Sequence, residues 1–351
     1  MRIDSVHFQN YKLLRDATLP LEPLTLLVGA NGSGKSTALE ALRHAAGSHV
    51  DRLAQGRTYG VSAAPPDGNV SVRVTGRGED GVVSHEWVAG ASAQPPFAGL
   101  SQGLSNDERA LLAAVQSFRV YGLSADRLAT QSTLAPGVFL QPDGGDLPGA
   151  LDQLRDRDPE RWQELNDALP EWLPEFDQVL FETPIQGQRA VVLRAHRGRH
   201  RVPAHQLSAG TRLVLGLLAI TYGAANSTFF GVEEPETGIH PRLLRNVYDA
   251  LVRMTYANRA ADAGARQVIV TTHSPYLLDL FRDHPESVVV AERHYDGPTE
   301  EATFTRLSDR RDIDEIISAG PLGEAWYTGV LGGVPALPGP GPVTPAASAG
   351  A

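Results

Sequence analysis

The 351 residues allow two average domains or one large α/β domain, and 42% apolar with 21% charged residues excludes a disordered chain. The absence of cysteine removes disulfides, cysteine-ligated zinc and thiol catalysis, and fits an intracellular protein. A net charge of −10 leaves no broad cationic surface for nucleic acid.

The charge is unevenly spread. Twelve acids lie between Gln141 and Glu182 against Arg155, Arg157 and Arg161. No acid occurs from Thr183 to Val232, where Arg189, Arg194, Arg197, Arg199, Arg201 and Arg212 fall. Two solvated faces of opposite sign are the plain reading of such runs, and a nucleic-acid contact is the sharper one. Met1–Val6 opens directly as a strand without an apolar signal segment. The longest apolar stretch, Leu213–Ala225, is too short to span a bilayer. A cytoplasmic protein with no membrane partner is expected.

Along the chain, Ile3–Phe8 alternates as a half-buried strand, and Leu24–Val28 is a continuous apolar strand leading into glycines. Lys35–Ala46 has helical periodicity, and residues 48–69 are loop-rich. Val70–Thr75 and Val82–Val88 read as strands around the turn Gly78-Glu79-Asp80-Gly81. A helix over Asn106–Gln116 and a strand over Phe118–Leu123 follow, then helices near Leu147–Arg155 and Pro159–Trp172. Strands are expected at Gln178–Thr183 and Arg189–Arg194, and a long helix from Gly210. A buried strand at Thr228–Val232, a helix at Pro241–Asn258 and a strand at Gln267–Thr271 complete the reading. From Pro335 to Ala351 the composition is little but Pro, Gly and Ala, which reads as a disordered tail.

Gly29-Ala30-Asn31-Gly32-Ser33-Gly34-Lys35-Ser36-Thr37 fits G-x-x-x-x-G-K-[ST] between a strand and a helix. The glycines let backbone N–H groups turn inward around phosphate oxygens, and the helix aims its positive end at the same anion. Lys35 is expected to reach the β- and γ-phosphates, facing solvent when no nucleotide is bound, and the Ser36 hydroxyl to ligate Mg²⁺. No N-K-x-D guanine signature occurs, which favours ATP.

Thr228–Val232 ends in Glu233-Glu234-Pro235-Glu236. Successive strand side chains diverge, so Glu233 can face the metal's water shell while Glu234 faces an attacking water. In Leu207-Ser208-Ala209-Gly210-Thr211-Arg212, Ser208 is a good N-cap and Gly210 permits close approach, so this helix start is a second anion site. Val268–Val270 leads into Thr271-Thr272-His273-Ser274-Pro275, which places a histidine at another strand end.

These elements, jointly spaced, resemble the ABC-type ATPase heads of the RecF, SMC, Rad50 and OLD group, above all its short stand-alone AAA-family members. The resemblance covers roughly residues 1–45 and 200–335 and includes the opening Val6-His7-Phe8-Gln9-Asn10-Tyr11-Lys12. It implies an α/β P-loop NTPase head with a mixed sheet core, an antiparallel β subdomain and a small helical insertion at about 140–185. One head would span residues 1–334.

It further implies two heads sandwiching two ATP molecules, so the partner is a second copy of the chain. Asn31, Gly32, Ser33, Gly34, Lys35, Ser36 and Thr37 would cradle each ATP, with Ser208 and Gly210 of the other protomer against its γ-phosphate. Ser36 and Glu233 would serve the Mg²⁺, Glu234 would activate water, and His273 would sense the γ-phosphate. A glutamine is expected after the strand that follows the first helix, with Gln131 and Gln141 as candidates. Long coiled coils and an appended Toprim domain are both missing, and Glu292 with Asp312-x-Asp314 reads as helix-start chemistry rather than a metal site. His196, His200 and His205 read as solvated, since two lie among arginines. His240-Pro241 reads as turn structure. Two functions stay open: an ATP-driven dimer that clamps or senses DNA in repair or phage defence, with a separately encoded nuclease, or a nucleotide-switched scaffold for a protein partner.

Overall fold

A computed structural model of the chain describes residues 1–47, 70–89, 104–223, 227–256, 266–296 and 299–333. The expected loop at 48–69 and tail at 335–351 lie outside the described residues.

The apolar strand β3 (Leu24–Val28) is buried at all five positions and lies inside a six-stranded sheet. It pairs in parallel with β12 (Gln267–Thr272) on one side and β13 (Val288–Asp296) on the other. Next to β12 come β11 (Phe229–Glu233) and then β6 (Arg119–Tyr121), both parallel. The strand β14 (Thr299–Arg306) closes the other edge antiparallel to β13. The sheet is therefore mixed, as expected.

Both faces of this sheet are covered, which is why its strands carry continuous apolar runs instead of alternating. Leu24, Leu26, Val28, Val268 and Val270 enter one core, while Leu27 and Ile269 enter the other. The second core holds α1 (Lys35–Ala46), whose Ala38, Leu39, Ala41, Leu42 and Ala45 are buried, and α2 (Asn106–Gln116). It is roofed by an antiparallel sheet of β1 (Arg2–Tyr11), β2 (Leu14–Pro20), β4 (Val70–Arg77) and β5 (Val82–Ala89), ordered β2-β1-β4-β5. The buried Gln267 amide joins the two sheets, accepting from the Ile3 N–H (2.5 Å) and donating to the Ile3 carbonyl (2.8 Å). Ser105 and Glu108 form a capping box on α2, and the next residue in, Asp107, accepts from the N–H groups of Glu79 and Asp80. That bond fixes the turn between β4 and β5.

The first core takes α4 (Leu147–Arg157), α5 (Pro159–Trp172), α6 (Ala209–Tyr222) and α7 (Leu244–Tyr256). Between α5 and α6 run β8 (Phe176–Glu182), β9 (Gln188–Ala195) and β10 (Arg201–Pro203), with β9 central and β7 (Ser132–Thr133) beside it. Asn166 ties α5 to β8 by accepting from the Val179 N–H at 2.8 Å. Gly223 ends α6 in the left-handed region (φ 106), a conformation that glycine adopts without strain.

Two expectations need correction. The strand expected over Phe118–Leu123 is only β6, because the Gly122 N–H turns to the Pro142 carbonyl instead of a strand partner. The helix expected from Pro241 opens as a 3₁₀ turn at Pro241–Leu243, where the His240 ring accepts from the Arg242 N–H. The sequence does not signal β2, β13, β14 or the helix α10 (Leu322–Tyr327), whereas the helix start read at Asp312-x-Asp314 is the N-terminus of α9 (Ile313–Ala319), with Asp312 as its N-cap. Two four- and five-residue helices, α3 (Ala125–Leu128) and α8 (Pro275–Asp279), complete the fold. No helix of the described residues is long and apolar enough to cross a membrane.

Candidate functional site

Strand register assembles the site. Val28 lies opposite Thr272, and Thr271 lies opposite Glu233, so β3, β12 and β11 end level with one another. The loop after β3, the histidine after β12 and the acids ending β11 thus meet at one edge of the sheet, the carboxyl end where ligands of open α/β sheets bind.

The loop from Gly29 to Gly34 is shaped by contacts that exclude side chains. A Cβ on Gly29 would stand 2.4 Å from the Ala291 carbonyl and 2.7 Å from Ser33 Oγ. Gly34 caps α1 at φ 104, without any side chain bonded to the helix's first N–H groups. Those donors are available to an anion, and the helix dipole favours one. The buried Ser33 hydroxyl has no hydrogen-bond partner, a further polar atom that a phosphate oxygen would satisfy. Asn31, Gly32 and Ser36 are exposed, and Thr37 is half-buried. The residues present fit a nucleotide phosphate chain.

Lys35 departs from expectation. It is only 5% exposed instead of facing solvent. Its Nζ donates to the carbonyls of Gly29 (2.7 Å) and Ala30 (2.9 Å). The ammonium thus satisfies two of its donors on its own loop. Burial lowers its pKa to about 8, against the opposing pull of the Glu234 carboxylate.

Glu234 sits at φ 43, a left-handed conformation that costs a non-glycine residue on the order of 1–3 kcal/mol. Its N–H donates to the Thr271 carbonyl at 3.0 Å. One carboxylate oxygen accepts from Thr237 Oγ1 (3.1 Å), and the other lies 3.5 Å from His273 Nε2. Burial lowers the His273 pKa, Lys35 lowers it further, and Glu234 opposes both. Residues 35, 234 and 273, distant in sequence, therefore share one electrostatic neighbourhood. Glu233 lies half-buried at the end of β11, flanking a cleft of about 340 Å³ lined by Gly122, Leu123, Leu213, Glu234 and Pro235. Its carboxylate is a hard oxygen donor of the kind that suits Mg²⁺.

Ser208 and Gly210 make their contacts elsewhere. Ser208 Oγ caps α6 by accepting from the Thr211 N–H at 3.1 Å. A Cβ on Gly210 would come 2.7 Å from the Gly238 carbonyl, so the close approach seen here is to the chain's own loop. Neither Gln131 nor Gln141 lines the cleft beside Glu233; Gly122 takes the place after β6. Gln141 is joined to that place only through its neighbour, whose carbonyl holds the Gly122 N–H at 3.0 Å. Among the described residues no cluster suits a metal by histidine and acid ligands alone, and Asp312 pairs with Arg310 while Glu292 accepts from the Gly333 N–H.

Sequence reading missed two parts. Glu236 bonds the end of β12, and the Gly333 carbonyl accepts from the Ala30 N–H at 2.5 Å, fastening residues 331–333 to the phosphate loop. Both pair residues far apart in the chain, and no spacing signals them.

Among solved structures, the Smc head bound to the C-winged helix domain of ScpA is similar over 88% of this chain and 99% of that one, with a TM-score of 0.59 and 13% identity. An Smc head with extended coiled coil bound to the C-terminal domain of ScpA, derived from Pyrococcus furiosus, is similar over 90% and 99%, with a TM-score of 0.57 and 13% identity. The fold is thus that of a P-loop NTPase of the ABC-head type. In sequence the chain is 24% identical to an OLD nuclease of Thermus scotoductus, over 91% of this chain and 67% of that protein. Residues 1–52 match the family described as "AAA ATPase domain". Residues 90–279, more than half of the chain, match the family described as "AAA domain, putative AbiEii toxin, Type IV TA system", and the chain belongs to this AAA-domain family. It is an ATPase, and the OLD and Smc likenesses support the resemblance of its motifs to the RecF, SMC, Rad50 and OLD heads.

The Lys35 environment makes nucleotide affinity depend on pH. A phosphate chain favours the ammonium, so binding raises a pKa that starts at about 8 in the free protein. Affinity is full below that value and declines as pH rises through it, with proton uptake on binding. Titration calorimetry of metal-free ATP at pH 7 and pH 9, in buffers of different ionisation enthalpy, should show both effects. Equal affinity without proton uptake would contradict them.

Proposed function

We propose that the chain binds ATP with Mg²⁺, closes head to head with a second copy around two ATP molecules, and uses hydrolysis to release a clamp on DNA. The observation that carries the reading is the meeting of Lys35, Glu234 and His273 at one sheet edge. Asn31 to Thr37 wrap the phosphates, with the Lys35 ammonium leaving its carbonyl partners for the β- and γ-oxygens. Ser36 and Glu233 would hold the Mg²⁺, which would supply neutralisation of phosphate charge. Glu234 accepts a proton from the water that attacks the γ-phosphorus, while the bond to the ADP oxygen breaks. His273 donates to the γ-phosphate and reports its presence through the Glu234 contact.

Ser208 and Gly210 of the second protomer complete the site from across the interface. The α6 N-terminus is suited to an anion, yet the chain's own phosphate loop already surrounds its ATP.

The DNA reading rests on which arginines have partners. Arg189 and Arg194 pair with Asp152 and Asp177, and Arg212 reaches Asp126. Arg197 and Arg199, on the exposed turn between β9 and β10, and Arg201, which opens β10, form no close ion pair among the described residues, although Arg199 lies within the field of Asp177. Their exposed guanidinium groups are placed to meet phosphates. The similarity to a protein named OLD nuclease supports a role beside a nuclease, in repair or phage defence.

Glu234→Gln should lower ATP turnover by about 10²–10⁴-fold, since the amide cannot accept the proton, while leaving ATP bound. Light scattering should then find an ATP-dependent dimer. Wild-type turnover would remove Glu234 from the role of base.

Replacing Arg197, Arg199 and Arg201 together by Ala should flatten the salt dependence of ATP-stimulated DNA binding by up to about three phosphate contacts. An unchanged slope, or no DNA binding by the wild type, would favour the scaffold for a protein partner.

A further inference from the structure

His273 is a single side chain on the loop that leaves β12, yet the proposed reaction needs its ring held against a phosphate oxygen. Two contacts reach it, both from the turn that follows Glu233. The first is the Glu234 carboxylate, 3.5 Å from the ring Nε2. The second is Glu236. Pro235 turns the chain so that the Glu236 side chain runs back toward the end of β12. Its Oε1 accepts from Thr272 Oγ1 at 2.5 Å and from the His273 backbone N–H at 3.2 Å. Thr272 is fully buried, and its hydroxyl oxygen accepts in turn from the Ser274 N–H at 2.9 Å. One carboxylate oxygen therefore organises three consecutive residues, 272 to 274, and the histidine lies in the middle.

The arrangement is costly. Among the described residues Glu236 Oε2 is buried without a hydrogen bond from another residue, and burial raises the pKa of the group, with the Glu234 charge adding to the shift. Structure alone does not call for a carboxylate here, because a residue without charge would leave no orphaned oxygen. Costly buried polar groups at an active site point to a positioning task.

We infer that Glu236 is a positioning residue for ATP hydrolysis: it anchors the backbone of residues 272–274 so that the His273 ring meets the γ-phosphate. The inference rests on the reading of His273 as the γ-phosphate contact. Glu236 touches neither the phosphate loop nor the reacting atoms, so it acts on turnover through His273. The same turn carries Glu234, so the proton acceptor and the phosphate sensor are set by one short segment, and a shift of either is transmitted to the other.

The test is a double-mutant cycle of Glu236→Ala with His273→Ala, reading kcat and ATP affinity separately. Loss of hydrogen bonds to a charged group should lower kcat by about tenfold to a hundredfold in Glu236→Ala, with ATP affinity within about twofold of wild type. Glu236→Gln keeps a carbonyl acceptor for both donors and should recover most of the lost turnover. In the His273→Ala background, Glu236→Ala should cost less than about twofold more, because its target is gone.

Full multiplicative losses in the double variant would overturn the inference, as would wild-type kcat in Glu236→Ala. Unchanged turnover in His273→Ala alone would instead overturn the reading of His273, so the two failures are distinguishable. Where Glu236→Ala lowers the melting temperature too far to assay, Glu236→Asp carries the same cycle. It keeps the charge but is one methylene too short to reach Thr272, and it should reproduce the loss of kcat.

Discussion

Level strand ends are the constraint on which the site depends. Parallel pairing of β3, β12 and β11 sets Val28 opposite Thr272 and Thr271 opposite Glu233. Three loops from three distant parts of the chain must then leave the sheet side by side. A slip of one residue would send each strand's side chains to the opposite face and exchange the two cores. The register is held by those cores, since Leu26, Val268 and Val270 belong to one and Leu27 and Ile269 to the other. Packing on both faces of the sheet is thus what aligns the phosphate loop with its acids.

Several unfavourable terms gather at that edge. Lys35 is buried against the carbonyls of its own loop, and its pKa falls to about 8. Glu234 holds a left-handed backbone. Among the described residues the buried Ser33 hydroxyl and one oxygen of Glu236 lack a hydrogen bond from another residue. Each of these is unfavourable alone, and most lie where an anion would relieve them. Residues 331–333 add a tie between the C-terminal helices and the phosphate loop, through the Gly333 carbonyl and the Ala30 N–H.

Much of this was legible in the chain itself, because the site uses residues whose chemistry is local. Gly29 to Thr37 declare a phosphate loop by spacing, and Glu233 and Glu234 are read from the apolar strand before them. His273 follows from the same logic. Pairings between distant segments were not legible. Nothing near Glu236 announces Thr272, and nothing in the C-terminal segment announces Ala30. Lys35 was misplaced for a related reason: sequence gives its ligand but not the carbonyls that stand in for it. The Phe118–Leu123 strand was overextended because a hydrogen bond from Gly122 to Pro142, invisible in sequence, turns the chain early. The antiparallel edge of the main sheet escaped notice because β14 carries polar residues that alternate only weakly.

The central claim is that each ATP is shared between two chains, and complementation tests it most directly. Lys35→Ala disables the phosphate loop and Ser208→Arg the α6 start, so each variant should be inactive as a homodimer. Mixed equally with free exchange, half of the dimers carry one intact loop facing one intact helix start. The mixture should then recover roughly a quarter of wild-type ATPase activity, by two-fold counting. No recovery, together with no ATP-dependent dimer on light scattering, would contradict a shared site.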